Sequence, residues 1–134
     1  MQADFLAAFN TLKDYLAEEV PELGQIITHW EDPFLVSKNR TIILPDAHSG
    51  ADRNLSFNIN LWISTIDKNA DAIVQAQILL MEKLYLAIYD NIPSPIVSAS
   101  IAVADYFDPT PQSPNVGLLR VLIMLTTDFL DDCR

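Results

Sequence analysis

Apolar residues recur along the first twenty positions at steps of three and four. Phe5, Phe9, Leu12, Leu16 and Val20 share one side, while Asn10, Asp14 and Glu18 take the other. That spacing lays one stripe down a helix and predicts an amphipathic helix over 4–20, stopped by Pro21 and Gly24. Short β-prone pieces follow at 26–30, 34–36 and 41–44, interrupted by Pro33, by Lys38-Asn39-Arg40 and by Pro45. A polar loop, Pro45–Asn54, leads into the clearest strand of the chain. There Leu55, Phe57, Ile59, Leu61 and Ile63 alternate with Ser56, Asn58, Asn60 and Trp62. A period of two means one face buried and one face wet, and Trp62 alone breaks the polar set.

Over 70–91 the period becomes helical, with Asp67 or Asn69 as the N-cap and Asp71 in the first turn. The apolar arc of this helix spans roughly 200°, more than one sheet face needs. It takes in Ile73, Val74, Ala76, Ile78, Leu80, Met81, Leu84, Tyr85, Ala87 and Ile88. Leu79 and Leu86 stand apart from it, among Asp71, Gln75, Glu82, Lys83 and Asp90.

Two long strands close the chain. The first, 96–107, places Val97, Ala99, Ile101, Val103 and Phe107 on one side, with Ser98, Ser100 and Tyr106 on the other. The second, 116–129, places Leu119, Val121, Ile123, Leu125 and Phe129 together. The loop between them, Asp108–Asn115, carries prolines at 109, 111 and 114 and is too long for a tight turn. The closing 131–134 reads as a solvated tail. This order predicts a single α+β domain over 1–134, with two main helices packed on one face of a mainly antiparallel sheet in the order helix–strands–helix–hairpin.

Composition narrows the function classes. Half of the 134 residues are apolar and 19% are charged, which argues against disorder. No apolar run approaches the roughly 18–20 residues of a membrane-spanning helix, so no membrane association is expected. The formal charge of −10 repels phosphate, and the nearest approach to a basic cluster is Lys38-Asn39-Arg40. Specific nucleic-acid binding and anionic-membrane binding are therefore not expected. The N-terminus has no cationic segment of the kind that opens a signal peptide, and Cys133 has no second cysteine to pair with. Both point to synthesis in a reducing cytoplasm.

Catalytic chemistry finds little support. Gly24, Gly50 and Gly117 lie far apart, so no glycine-rich phosphate loop exists. Asp46, His48 and Asp52, with Glu31 or Asp32, come nearest to a metal-binding set. Their spacing matches no metal-site rule, and such residues are common in polar hairpin loops. No metal and no cofactor are expected. His29 and Glu31 lie two apart and read as a surface pair flanking Trp30 rather than a base with its orienting carboxylate. No serine sits in a nucleophile elbow, and the chain is not expected to be an enzyme.

What exceeds a plain globular reading concerns surfaces. Trp62 on a polar strand face, and Leu79 and Leu86 on a polar helix face, are candidate subunit-interface residues. The alternative is a third layer in which the chain's own loops cover that apolar surface.

The succession of a leading helix (4–20), strands ending in a long alternating one (55–65), a long apolar helix (70–91) and a terminal hairpin (96–129) resembles the tail-terminator, or tail-completion, proteins of long-tailed phages. The resemblance covers nearly the whole chain through the order of its elements and carries no signature residues. It implies a homo-oligomeric ring, typically hexameric, that caps the tail tube and joins it to the head. Such a protein is assembled in the host cytoplasm and retained in the virion tail. Tail-tube and head-connector proteins would be the partners. Trp62, Leu79 and Leu86 would lie between subunits, and Asp46, His48, Asp52, Asp108 and Asn115 would lie in loops contacting tube or connector. A dimeric ligand-binding or regulatory module, a small enzyme using the carboxylates of the 46–52 loop, and another connector or baseplate component are the competing readings.

Overall fold

The computed structural model describes residues 2–3, 5–51, 54–90 and 92–130. Helix α1 (Phe5–Glu19) buries Ala8, Leu12 and Leu16, and Val20 just beyond it is also enclosed. The chain then makes a 3₁₀ turn at Pro21–Leu23 and reverses at Gly24, whose φ is 71°. A side chain there would collide with the carbonyl of Asn39, so glycine satisfies both the left-handed backbone and the close approach. The second helix, α2 (Ala70–Ile88), starts at Asn69, whose side chain accepts from the Asp71 amide at 2.8 Å.

Among the described residues six strands form one sheet: β1 (Gln2–Ala3), β2 (Gln25–Ile27), β3 (Arg40–Ala51), β4 (Asn54–Ile66), β5 (Ser98–Phe107) and β6 (Val116–Leu130). The lateral order is β2-β3-β4-β6-β5, and β1 pairs with the far end of β6. Every pairing is antiparallel except β2 with β3. The fold is α+β, as the element order predicts.

Both helices pack on one face. Ile59, Leu61, Val121 and Ile123 are fully enclosed there with Leu12, Leu16, Leu84 and Ile88, in one continuous core. Ile59 opposes Ile123 and Leu61 opposes Val121 across β4 and β6, so the alternation read for residues 55–63 is in the expected register.

Several expectations change. Segment 34–36 is no strand, because the Asp32 side chain accepts from the Phe34 amide at 2.9 Å and closes a turn. Segment 26–30 contributes only Ile26 and Ile27 to a strand, β2. The expected loop 45–54 is mostly β-ladder: β3 continues through Pro45, with an irregularity between Pro45 and His48, and pairs with β4 as far as Ala51 opposite Asn54.

The largest correction lies in β5. Its register shifts between Ile101 and Val103, leaving Ala102 as an extra residue. A bulge of this kind inverts the alternation beyond it. Val103 and Phe107 therefore lie on the sheet face away from the helices, 43% and 41% exposed, while Tyr106 moves to the helix side opposite Leu119. That second face is not simply wet either. The crossover from β2 to β3, residues 28–39, folds over it, with the Pro33 carbonyl accepting from Ser64 Oγ. Ser64 is buried beneath it, and Asn60 on the same face is also buried.

Candidate functional site

Helix α2 carries more apolar surface than the sheet covers. Ile73, Leu80, Leu84 and Ile88 point into the core, but Val74, Ile78, Tyr85 and Tyr89 lie on the adjoining flank and remain about half exposed. Steps of four and seven residues keep these four in one row along the helix. The row faces β5, the edge strand, which pairs only with β6 among the described residues. Between helix and edge runs a groove of about 1050 Å³, lined by Ile78, Met81, Tyr85, Tyr89 and Tyr106, with Glu82, Leu86 and Asp90 on its rim.

Ile78 and Tyr106 also line a second cavity of about 580 Å³ toward the start of the helix, bordered by Val74, Gln77, Asp108 and Pro109. The two form one trough along the helix. Gln77 is buried at its floor, and its Nε2 finds no acceptor among the described residues. A side chain on Gly117 would approach that nitrogen to 2.9 Å and would strike Ile73, so the glycine allows α2 to sit close against β6.

The aromatic lining is fixed by local contacts. Tyr85 and Tyr89, one helical turn apart, stack with ring centroids 5.7 Å apart and planes 12° from parallel. The Tyr89 hydroxyl accepts from the Ile101 amide at 3.0 Å, beside the β5 bulge. Burial, and then the neighbouring Tyr85, raise the Tyr106 pKa above its ordinary value of 10.0. At the end of the groove, burial followed by the charges of Glu19 and Asp90 does the same for Tyr15, whose hydroxyl donates to the Ala87 carbonyl at 2.7 Å.

Of the three candidate interface residues, Leu79 and Leu86 lie on the solvent side of α2, 51% and 74% exposed. Leu86 borders the groove; Leu79 borders a small cleft beside Glu22 and Asn39. Trp62 lies on the opposite face of the sheet and is half-buried. There it packs edge-on to Trp30 at 5.4 Å, stacks on Phe107 at 6.5 Å and receives the Arg120 guanidinium at 5.5 Å. Arg120 is held in turn by Asp105, its cross-strand partner, at 3.3 Å. The three residues therefore form no single patch.

Asp46 is exposed at the β3 irregularity, His48 pairs with Phe57 in the ladder, and Asp52 lies outside the described residues. Asp108 and Asn115 are exposed at the two ends of the β5–β6 loop, where the Asn115 carbonyl accepts from the Asp67 amide at 3.0 Å. His29 and Glu31 are an exposed pair at 3.3 Å, and Arg40 binds the other oxygen of that carboxylate.

The groove residues Val74, Ile78 and Tyr85 were visible in the sequence only as members of an over-wide apolar arc. Alternation alone places Tyr106 on the face away from the helices, because nothing local marks the bulge at Ala102. No helix among the described residues is long and apolar enough to cross a membrane. No protein-family model matches this sequence, and no curated protein matches it.

Proposed function

We propose that the chain is a structural, non-enzymatic subunit of a phage or prophage tail, a ring-forming terminator that closes the tail tube and joins it to the head. The observation that carries the reading is the apolar trough along α2 and the β5 edge. An exposed aromatic and aliphatic surface of this extent characterises a site that another chain covers. It is the surplus that the wide apolar arc of α2 signals, and it lies on one edge of the sheet only. The order of elements, similar to that of tail terminators, supports the same reading. The charge of −10 suits a ring through which DNA must pass without adhering. In this role the protein meets copies of itself, tail-tube protein and the head connector, first in the host cytoplasm and then in the virion tail.

Sedimentation and electron microscopy of the purified protein, alone and mixed with tail-tube protein, test the reading. Closed rings, about six subunits in the family it resembles, are expected in at least one of the two conditions. A closed two-fold dimer in both would favour the dimeric ligand-binding module instead. The groove volume suits a small-molecule site, but the groove is open along its length, whereas such sites enclose most of their ligand.

A further inference from the structure

The trough beside α2 is apolar along its floor and acidic at its edges. Glu82 and Asp90 stand at the rim of the larger part, and Asp108 borders the smaller. Among the described residues none of these carboxylates holds an ion pair, and no lysine or arginine lines either part. Glu22, Glu31 and Asp105, by contrast, are each held by a lysine or an arginine. Burial, and then the charges of Glu19 and Asp90, raise the Tyr15 pKa at the end of the groove, so the field there is negative. The rings of Tyr85, Tyr89 and Tyr106 line the same groove. Ring faces beside unpaired carboxylates suit a cation carried on an apolar body. A guanidinium suits them best, since it stacks on a ring and forks onto a carboxylate.

The walls select the form of the occupant. The exposed row Val74, Ile78, Tyr85 and Tyr89 runs about 22 Å along α2, too long for one small molecule to fill. Its steps of four and seven residues make a ridge of the kind against which a second helix packs. The edge strand opposite is blunted against an added strand. The bulge at Ala102 breaks its register, and the Tyr89 hydroxyl already takes the Ile101 amide. A second copy has no suitable helix to offer. α1 carries Lys13 among Asp14, Glu18 and Glu19, and α2 carries Lys83, which is held by Glu22, with Asp71 and Glu82. Neither helix contains an arginine.

Resting on the reading that another chain covers this trough, we infer that the occupant is an amphipathic helix of a different protein. Its apolar face enters the floor between α2 and β5, and arginines along its margin meet Glu82 and Asp90. The mode is a helix laid in a groove, read through anchors three, four and seven residues apart. The partner is thus one that the assembly joins, and not another copy of this chain.

Synthetic helical peptides of about 18 residues test this by titration calorimetry. The first carries leucines at the three-and-four spacing with arginines flanking them. A second has glutamates in place of the arginines, and a third has serines in place of the leucines. The first is expected to bind, and the other two to bind at least about tenfold more weakly. Glu82→Lys/Asp90→Lys should weaken the first peptide by about tenfold or more. Attraction of any cation to so acidic a chain is controlled by Asp14→Lys/Asp46→Lys, which changes the formal charge equally at exposed positions that line neither part of the trough. That variant should keep most of the affinity, and circular dichroism checks that both variants are folded. The inference is overturned if the first peptide does not bind, if the serine peptide binds as well, or if the control variant loses as much affinity as the groove variant. None of those outcomes touches the ring reading, which sedimentation of the wild type with tail-tube protein decides. Rings absent there, with the first peptide still bound in the groove, would sink the ring reading and leave the helix site standing.

Discussion

The Tyr89 hydroxyl accepts the Ile101 amide at 3.0 Å and ties the C-terminal end of α2 to the edge strand β5 beside its bulge. One side-chain bond thereby closes one end of the groove and occupies a backbone donor on an edge strand, where unpaired amides invite foreign strands.

Tyr89→Phe removes that acceptor and keeps the ring. Loss of about 1 kcal/mol of stability is expected in urea denaturation. The Ile101 amide should exchange with solvent markedly faster, and hydrogen exchange followed by NMR reads this directly. An unchanged exchange rate at Ile101 would show that the amide is protected by something else.

Gly117→Ala forces a methyl group into Ile73 and toward Gln77. A destabilisation of about 1–3 kcal/mol is expected from overpacking. Gly24→Ala adds a left-handed backbone to a clash with the Asn39 carbonyl, which has no flexible side chain to yield, so it should cost more than Gly117→Ala. Denaturant midpoints of the two variants rank them.

Leu84 and Leu86 stand two residues apart on α2, one fully buried and the other 74% exposed. Leu84→Ala is expected to cost about 2–5 kcal/mol in the monomer. Leu86→Asp should stay within about 0.5 kcal/mol of wild type, yet abolish the ring if the groove rim is a subunit contact. Thermal melts at low protein concentration, paired with sedimentation at high concentration, separate the two effects. Monomer unfolding by Leu86→Asp would place that leucine in the core.

Tyr15 and Tyr106 have folded-state pKa values raised above 10.0. In the unfolded chain these phenols lose their protons first. The stability they contribute is therefore fully present below pH 10 and declines as pH rises through their folded-state values. Ultraviolet titration should show Tyr15 and Tyr106 ionising later than free tyrosine, and Tyr106→Phe should remove one late step. Stability measured from pH 9 upward should fall less steeply in that variant. An unchanged titration curve in Tyr106→Phe above pH 10 would refute the raised value at Tyr106.

The elements whose evidence is local were legible in the amino-acid order. Phe5, Phe9, Leu12 and Leu16 fall on one side of any helix they form, and Phe57, Ile59, Leu61 and Ile63 fall on one side of any strand. The periods 3.6 and 2 belong to the backbone and not to its neighbours. Gly24 after the first helix was legible for the same reason, and the cap of α2 as either Asp67 or Asn69, of which the structure uses Asn69. The candidate site was legible only as an excess: the arc from Ile73 to Ile88 was too wide for one sheet face, without any sign of which flank would stay open.

Tertiary structure decided the rest. Whether residues 45–51 form loop or ladder depended on β4 being available to pair with them, and Pro45 and the polar run concealed that. Which face Val103, Tyr106 and Phe107 occupy depended on one unmatched residue, Ala102, whose insertion is defined only against the register of β6. Trp62, an apparent outlier on a wet face, became a partner of Trp30 because the β2–β3 crossover returns over that face. It became a partner of Phe107 because the β5 bulge turns that ring toward it, beside its cross-strand neighbour Arg120. Periodicity records what one segment prefers. Register, edge and cover are relations between segments distant in sequence, and they exist only once the chain has folded.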